Sequence, residues 1–142
     1  MDRYLFRGKC KCDESCIESN GWAYGSLDDQ GVFPLIRRKI TRNNRGKGNT
    51  FEVSRATIGQ CTGLRDKSGT LIFEGDIIRQ IHESPDVDNF TGVVSWHEHE
   101  HGWQIDTRKP GEYMEYIGYA GDMYEIIGNI HEHKNILDYG SA

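Results

Sequence analysis

Cys10-Lys11-Cys12-Asp13-Glu14-Ser15-Cys16 places three thiols within seven residues. Thiolates spaced Cys-x2-4-Cys can reach one tetrahedral zinc ion from a single loop, and Cys12 and Cys16 have that spacing. A second pair is missing, so Cys61 or a histidine would have to complete four ligands. The plain alternative is a hairpin tip that carries thiols and binds nothing. His97-Glu98-His99-Glu100-His101 alternates, so on a strand its three imidazoles share one edge. Neutral imidazoles so arranged suit zinc, nickel or copper, although alternating His and Glu also makes a well-solvated turn. His131 and His133 pose the same question more weakly.

A third cluster is cationic. Arg37, Arg38, Lys39, Arg42, Arg45 and Lys47 crowd together, with no acid between Gln30 and Phe51. Lys and Arg contacts to phosphates release counterions and give salt-dependent nucleic-acid binding. Phe33 and Phe51 flank the run as candidate stacking platforms for bases. The competing reading is a solvated loop that pairs with acidic residues of the same chain or of a second copy. Asp76, after Glu74-Gly75, invites a catalytic role, but a carboxylate in such a turn more simply accepts hydrogen bonds from turn amides. No Ser-His-Asp order, phosphate-binding glycine loop, His-Glu-x-x-His helix or paired carboxylates can be recognised. The expectation is therefore no catalytic residues, no cofactor and no resident metal.

The charge distribution bears on partners. Residues 1–79 hold 14 basic and 10 acidic side chains, whereas residues 80–142 hold 3 basic and 12 acidic ones. Halves of opposite sign can steer an anionic ligand to one end, or one copy of the chain to another. No run of about 18 apolar residues is present, so no transmembrane helix is expected. The first nine residues lack the apolar segment of a secretory signal. A cytoplasmic chain with reduced cysteines is the corresponding expectation.

The elements that must position these groups read as short strands. Glycine, at 17 of 142 residues, recurs too often for long helices. Tyr4–Arg7, Gly21–Leu27 and Val32–Ile36 read as strands, with Asp28-Asp29-Gln30-Gly31 as a turn. Residues 37–48 read as a long tip or mobile loop, and Phe51–Val53 as a short strand. Asp66-Lys67-Ser68-Gly69 has hairpin chemistry, with Gly69 suited to positive φ. Thr70–Phe73 returns, and Glu74-Gly75-Asp76 reverses the chain into a strand over 76–82. Further strands are expected over Thr91–Trp96, Gly102–Asp106, Tyr113–Tyr119 and Glu125–Ile130. Such short elements broken by Gly and Asp specify a β meander or barrel.

Several of these pieces resemble the YopX family of bacteriophage- and prophage-encoded proteins. They are Tyr4-Leu5-Phe6-Arg7-Gly8-Lys9, Trp22-Ala23-Tyr24-Gly25-Ser26-Leu27, the block Gly59–Arg79, Gly92-Val93-Val94, and Ile126 through Glu132. The resemblance implies a mainly β fold with an SH3-like barrel in the C-terminal half, extended by an N-terminal meander. It brings no catalytic residues with it. The sequence departs from the family's pattern at Cys61, where an aromatic residue is common, and at His133-Lys134, in place of Asn-Pro.

The resulting expectation is an N-terminal β segment over 1–57 carrying the basic loop, packed on a barrel over 58–142 with a C-terminal tail. Function is expected to be a non-enzymatic interaction module with a protein partner, of phage origin and in the bacterial cytoplasm. The alternative is a nucleic-acid-binding protein using residues 37–47, and an enzyme without a recognisable motif comes third. Self-association through the oppositely charged halves is a further possibility, and no membrane partner is expected.

Overall fold

The computed structural model describes residues 4–11, 21–46, 48–81, 91–99, 101–107, 115–116, 123–133 and 135. It is mainly β, as expected. Among the described residues eleven strands are formed: β1 Phe6–Lys9, β2 Trp22–Asp28, β3 Leu35–Arg37, β4 Thr50–Glu52, β5 Gly59–Arg65, β6 Leu71–Phe73, β7 Asp76–Gln80, β8 Thr91–His97, β9 Gly102–Asp106, β10 Glu115–Tyr116 and β11 Tyr124–Asn129. One 3-10 turn, Arg55–Thr57, precedes β5. No described helix is long and apolar enough to cross a membrane. The chain divides into two compact units, Met1–Cys61 and Thr62–Ala142, with the division inside β5.

In the first unit the strands follow the order β4-β3-β2-β1-β5, all neighbours antiparallel. The core is made by Cys10, Ala23, Ile36, Phe51 and Val53, with Phe6, Leu27 and Ile58 packed against them. Ile36 and Phe51 are directly paired across β3 and β4, and cross-strand pairs of this kind are the unit of sheet stabilisation. The strand expected over Val32–Ile36 begins only at Leu35. Pro34 lacks the N–H that a ladder position needs; its carbonyl accepts from the Val53 N–H at 3.2 Å. Val32 and Phe33 are left in the turn.

In the second unit a five-stranded antiparallel sheet has the order β10-β9-β8-β7-β11. Ile72, Ile78, Val94, Ile105 and Tyr124 form its core, with Leu64, Trp103 and Ile126 at the margin. Ile77 and Ile78 are adjacent and both fully buried, so β7 is covered on both faces. That is why neither of its faces reads as cleanly apolar in the sequence. The register of β11 against β7 slips between Ile126 and Gly128, and the extra residue in the bulge is Ile127, which is half-buried. Among the described residues the edge strands β10 and β11 are not paired with each other, so the sheet is open.

Two acidic turns hold the second unit. Asp66 is 7% exposed. One of its oxygens accepts from the Ser68 and Thr70 N–H groups at 2.9 and 3.0 Å, and the other from the Ile126 N–H at 3.2 Å. Asp76 accepts from the Phe73 N–H at 2.8 Å across the reversal expected at Glu74-Gly75-Asp76. Gly75, with φ of 92°, donates to the Val94 carbonyl and accepts from the Ile130 N–H. Asp76 is thus a folding group, in line with the structural reading of its turn.

Candidate polyanion-binding hairpin tip

The basic run forms the connection between β3 and β4, and its six cations have different fates. Arg37 donates to Asp28 at 3.0 Å. Arg38 donates from Nε to the Asn49 side-chain oxygen at 3.1 Å and from Nη2 to the Gly48 carbonyl at 2.9 Å. Its guanidinium also lies 5.4 Å from the centre of the Phe51 ring. Arg38 therefore braces the two legs of the hairpin. Lys39, Arg42 and Arg45 are exposed, and their side chains make no ion pair or hydrogen bond with any described residue. Lys47 lies outside the described residues.

The tip is ordered by its own chemistry. The Asn44 side-chain oxygen accepts from the Thr41 N–H at 2.7 Å, and its Nδ2 donates to the Lys39 carbonyl at 2.9 Å. Asx side chains close turns in this way because they reach backbone groups a few residues off. Gly46 turns the chain with φ of 83°. The loop is thus a closed tip that displays three cations together with exposed Ile40.

The surroundings concentrate positive potential at the tip. The described part of the first unit holds nine basic and three acidic side chains. All three acids are engaged: Asp28 by Arg37, Asp29 by Arg55 at 2.6 Å and Glu52 by Lys11 at 3.8 Å. Arg7 and Lys9 lie over Trp22, at 4.9 and 5.9 Å from its ring centre. The bond from Arg37, helped by the Gln30 amide, holds the Asp28 carboxyl below its ordinary value of 3.8. A lowered folded-state value means that the pair stabilises the fold above the unfolded value and that this contribution fades as pH falls through the folded one. Arg37→Ala is expected to raise the Asp28 titration midpoint toward 3.8, as followed by side-chain carboxyl NMR; an unmoved midpoint would show that the pair does not form in solution.

The flanking aromatics separate. Phe33 is 55% exposed, with the Lys11 ammonium 5.0 Å from its ring centre. Phe51 is a core residue, 7% exposed, and is unavailable for stacking. That expectation is corrected: in a three-residue strand nothing in the sequence says which side faces in.

The cysteine expectation is also corrected. Cys10 is disulfide-bonded, so its sulfur is no thiolate for zinc. Cys12 and Cys16 lie outside the described residues. Cys61 is fully buried and makes no disulfide. His97, His99 and His101 are at the β8–β9 tip, but no group of three metal-ligating side chains is found among the described residues. His131 and His133 belong to a turn after β11, where the Asn129 N–H donates to His133 Nδ1 at 3.2 Å.

The YopX protein family model matches residues 5–138, nearly the whole chain. The chain belongs to the YopX family. No curated protein matches it. In this YopX chain the long block Gly59–Arg79 maps onto β5, β6 and β7 with their two acidic turns, so that block encodes folding chemistry. The cationic tip between β3 and β4 lies outside it.

Proposed function

We propose that this YopX protein is a non-enzymatic binding module that docks the phosphate backbone of a nucleic acid on the β3–β4 hairpin tip. One observation carries the reading: Lys39, Arg42 and Arg45 are displayed together on a closed tip, in a unit whose described acids are already paired. A two-stranded β ribbon is narrow enough to enter the major groove of a duplex, and cations on its tip then meet phosphates on either side. Phage or prophage origin and residence in a bacterial cytoplasm belong to the same proposal and rest on the family alone. A disulfide at Cys10 is unusual in that compartment.

The test is a salt titration of the full chain with duplex DNA, single-stranded DNA and RNA. Binding is expected at about 50 mM salt, weakening with a log–log slope near −3 for about three phosphate contacts. The Lys39→Ala/Arg42→Ala/Arg45→Ala variant should lose it, while the fold stays intact because these side chains brace nothing. No binding by any nucleic acid at that salt overturns the proposal. The module's contact would then fall to Val32 and Phe33, which are 85% and 55% exposed side by side on the β2–β3 turn and favour a protein partner.

A further inference from the structure

We infer that His97 and His99, at the tip of the β8–β9 hairpin, form a two-imidazole site for a divalent transition-metal ion of the nickel, copper or zinc type. His97 is the last residue of β8, and His99 follows two residues later in the turn. Their ring centres are 6.0 Å apart with an interplanar angle of 62°. Two imidazoles bound at about 2.0–2.1 Å to one tetrahedral ion have ring centres roughly 5 Å apart. The remaining difference of about 1 Å is within reach of a modest χ rotation by His99, whose side chain is exposed.

The hairpin supplies the rigidity that a chelating pair needs. Trp96 and Trp103 are directly opposite across β8 and β9, in edge-to-face contact at 5.1 Å between ring centres. The next pair outward is His97 opposite Gly102. His101 takes a left-handed backbone conformation, with φ of 53°, as the chain turns back into β9. It is not grouped with the other two, in accord with the lack of any three-ligand set among the described residues. Water completes the coordination sphere, so the ion is exchangeable, and imidazole ligands select nickel, copper and zinc over magnesium or calcium.

Nickel is the probe of choice, because it is paramagnetic and does not oxidise the Cys61 thiol. Untagged full-length protein is titrated with Ni2+, and the histidine ring protons are followed by NMR alongside calorimetry. The expected result is one ion per chain, with the His97 and His99 resonances broadening before those of His101, His131 and His133. His99→Gln and His97→Gln should each weaken binding by about tenfold or more, since either removes the chelate. His101→Gln should stay within about twofold of the parent, since its ring supplies no bond. Broadening led by another histidine, or unchanged affinity in His99→Gln, overturns the assignment, as does the absence of binding at millimolar Ni2+.

Discussion

Gly25→Ala is expected to destabilise the first unit by about 3 kcal/mol, the upper range for forcing an atom into packed structure. A Cβ at this position would stand 2.1 Å from the Arg37 carbonyl oxygen, 2.7 Å from its carbon and 3.1 Å from the Arg38 Cα. All three are backbone atoms, so none can swing aside as a side-chain end would. Relief requires β2 and β3 to part just beyond the Ser26–Arg37 pair. That loosens Ile36 and Ala23 in the core and the start of the cationic tip together. The melting temperature should fall by about 10 °C, given the usual few degrees per kcal/mol for domains of this size. Gly48→Ala is the control, because a Cβ there meets nothing within 4 Å. Gly128→Ala is intermediate, its obstacle being the exposed His133 ring at 2.9 Å. If Gly25→Ala melted with Gly48→Ala, the close approach of β2 to β3 would be refuted.

Gly25 also illustrates what the sequence reveals and what it hides. The motif Trp22-Ala23-Tyr24-Gly25-Ser26-Leu27 reads as a strand from its residue types alone, and it is one. That its glycine is required by the neighbouring strand follows only from the tertiary pairing. The same division recurs along the chain. Gly69 and Gly75 announce turns, and both take positive φ, at 85° and 92°, because turn chemistry is local. The side on which Phe51 falls is not local, since a three-residue strand is shorter than any periodicity test. Nor is the engagement of Arg38 local: its acceptors, Asn49 and Gly48, lie eleven and ten residues away across the hairpin. Composition therefore located the cationic cluster, while only the fold separates the bracing cations Arg37 and Arg38 from the displayed ones. The bulge at Ile127 was hidden for the same reason, because it depends on the register against β7.

Asp66→Asn is expected to cost about 4 kcal/mol, more than a typical surface substitution by several-fold. The carboxylate accepts from three backbone amides, and hydrogen bonds to a charged group contribute about 1.5–3 kcal/mol each, without simple additivity. Asparagine keeps the shape but turns an NH2 toward N–H groups on one side. Either the Ser68 and Thr70 amides or the Ile126 amide then faces a donor, in a part-buried position. The loss reaches beyond the turn, because Ile126 belongs to β11 and the Lys67 N–H donates to the Tyr124 carbonyl of the same strand at 2.9 Å. The β5–β6 turn is thus what fastens the start of β11, some sixty residues later in the chain. Denaturant unfolding should show a lower midpoint, and hydrogen exchange should show the Ser68, Thr70 and Ile126 amides losing protection together. Ser68→Ala should do neither, because Asp66 uses only the Ser68 backbone N–H. If Asp66→Asn kept the parent's midpoint and its three protected amides, the carboxylate would not be the tie between these strands. The Arg-Asp-Lys-x-Gly segment would then need an explanation at the surface instead of in the fold.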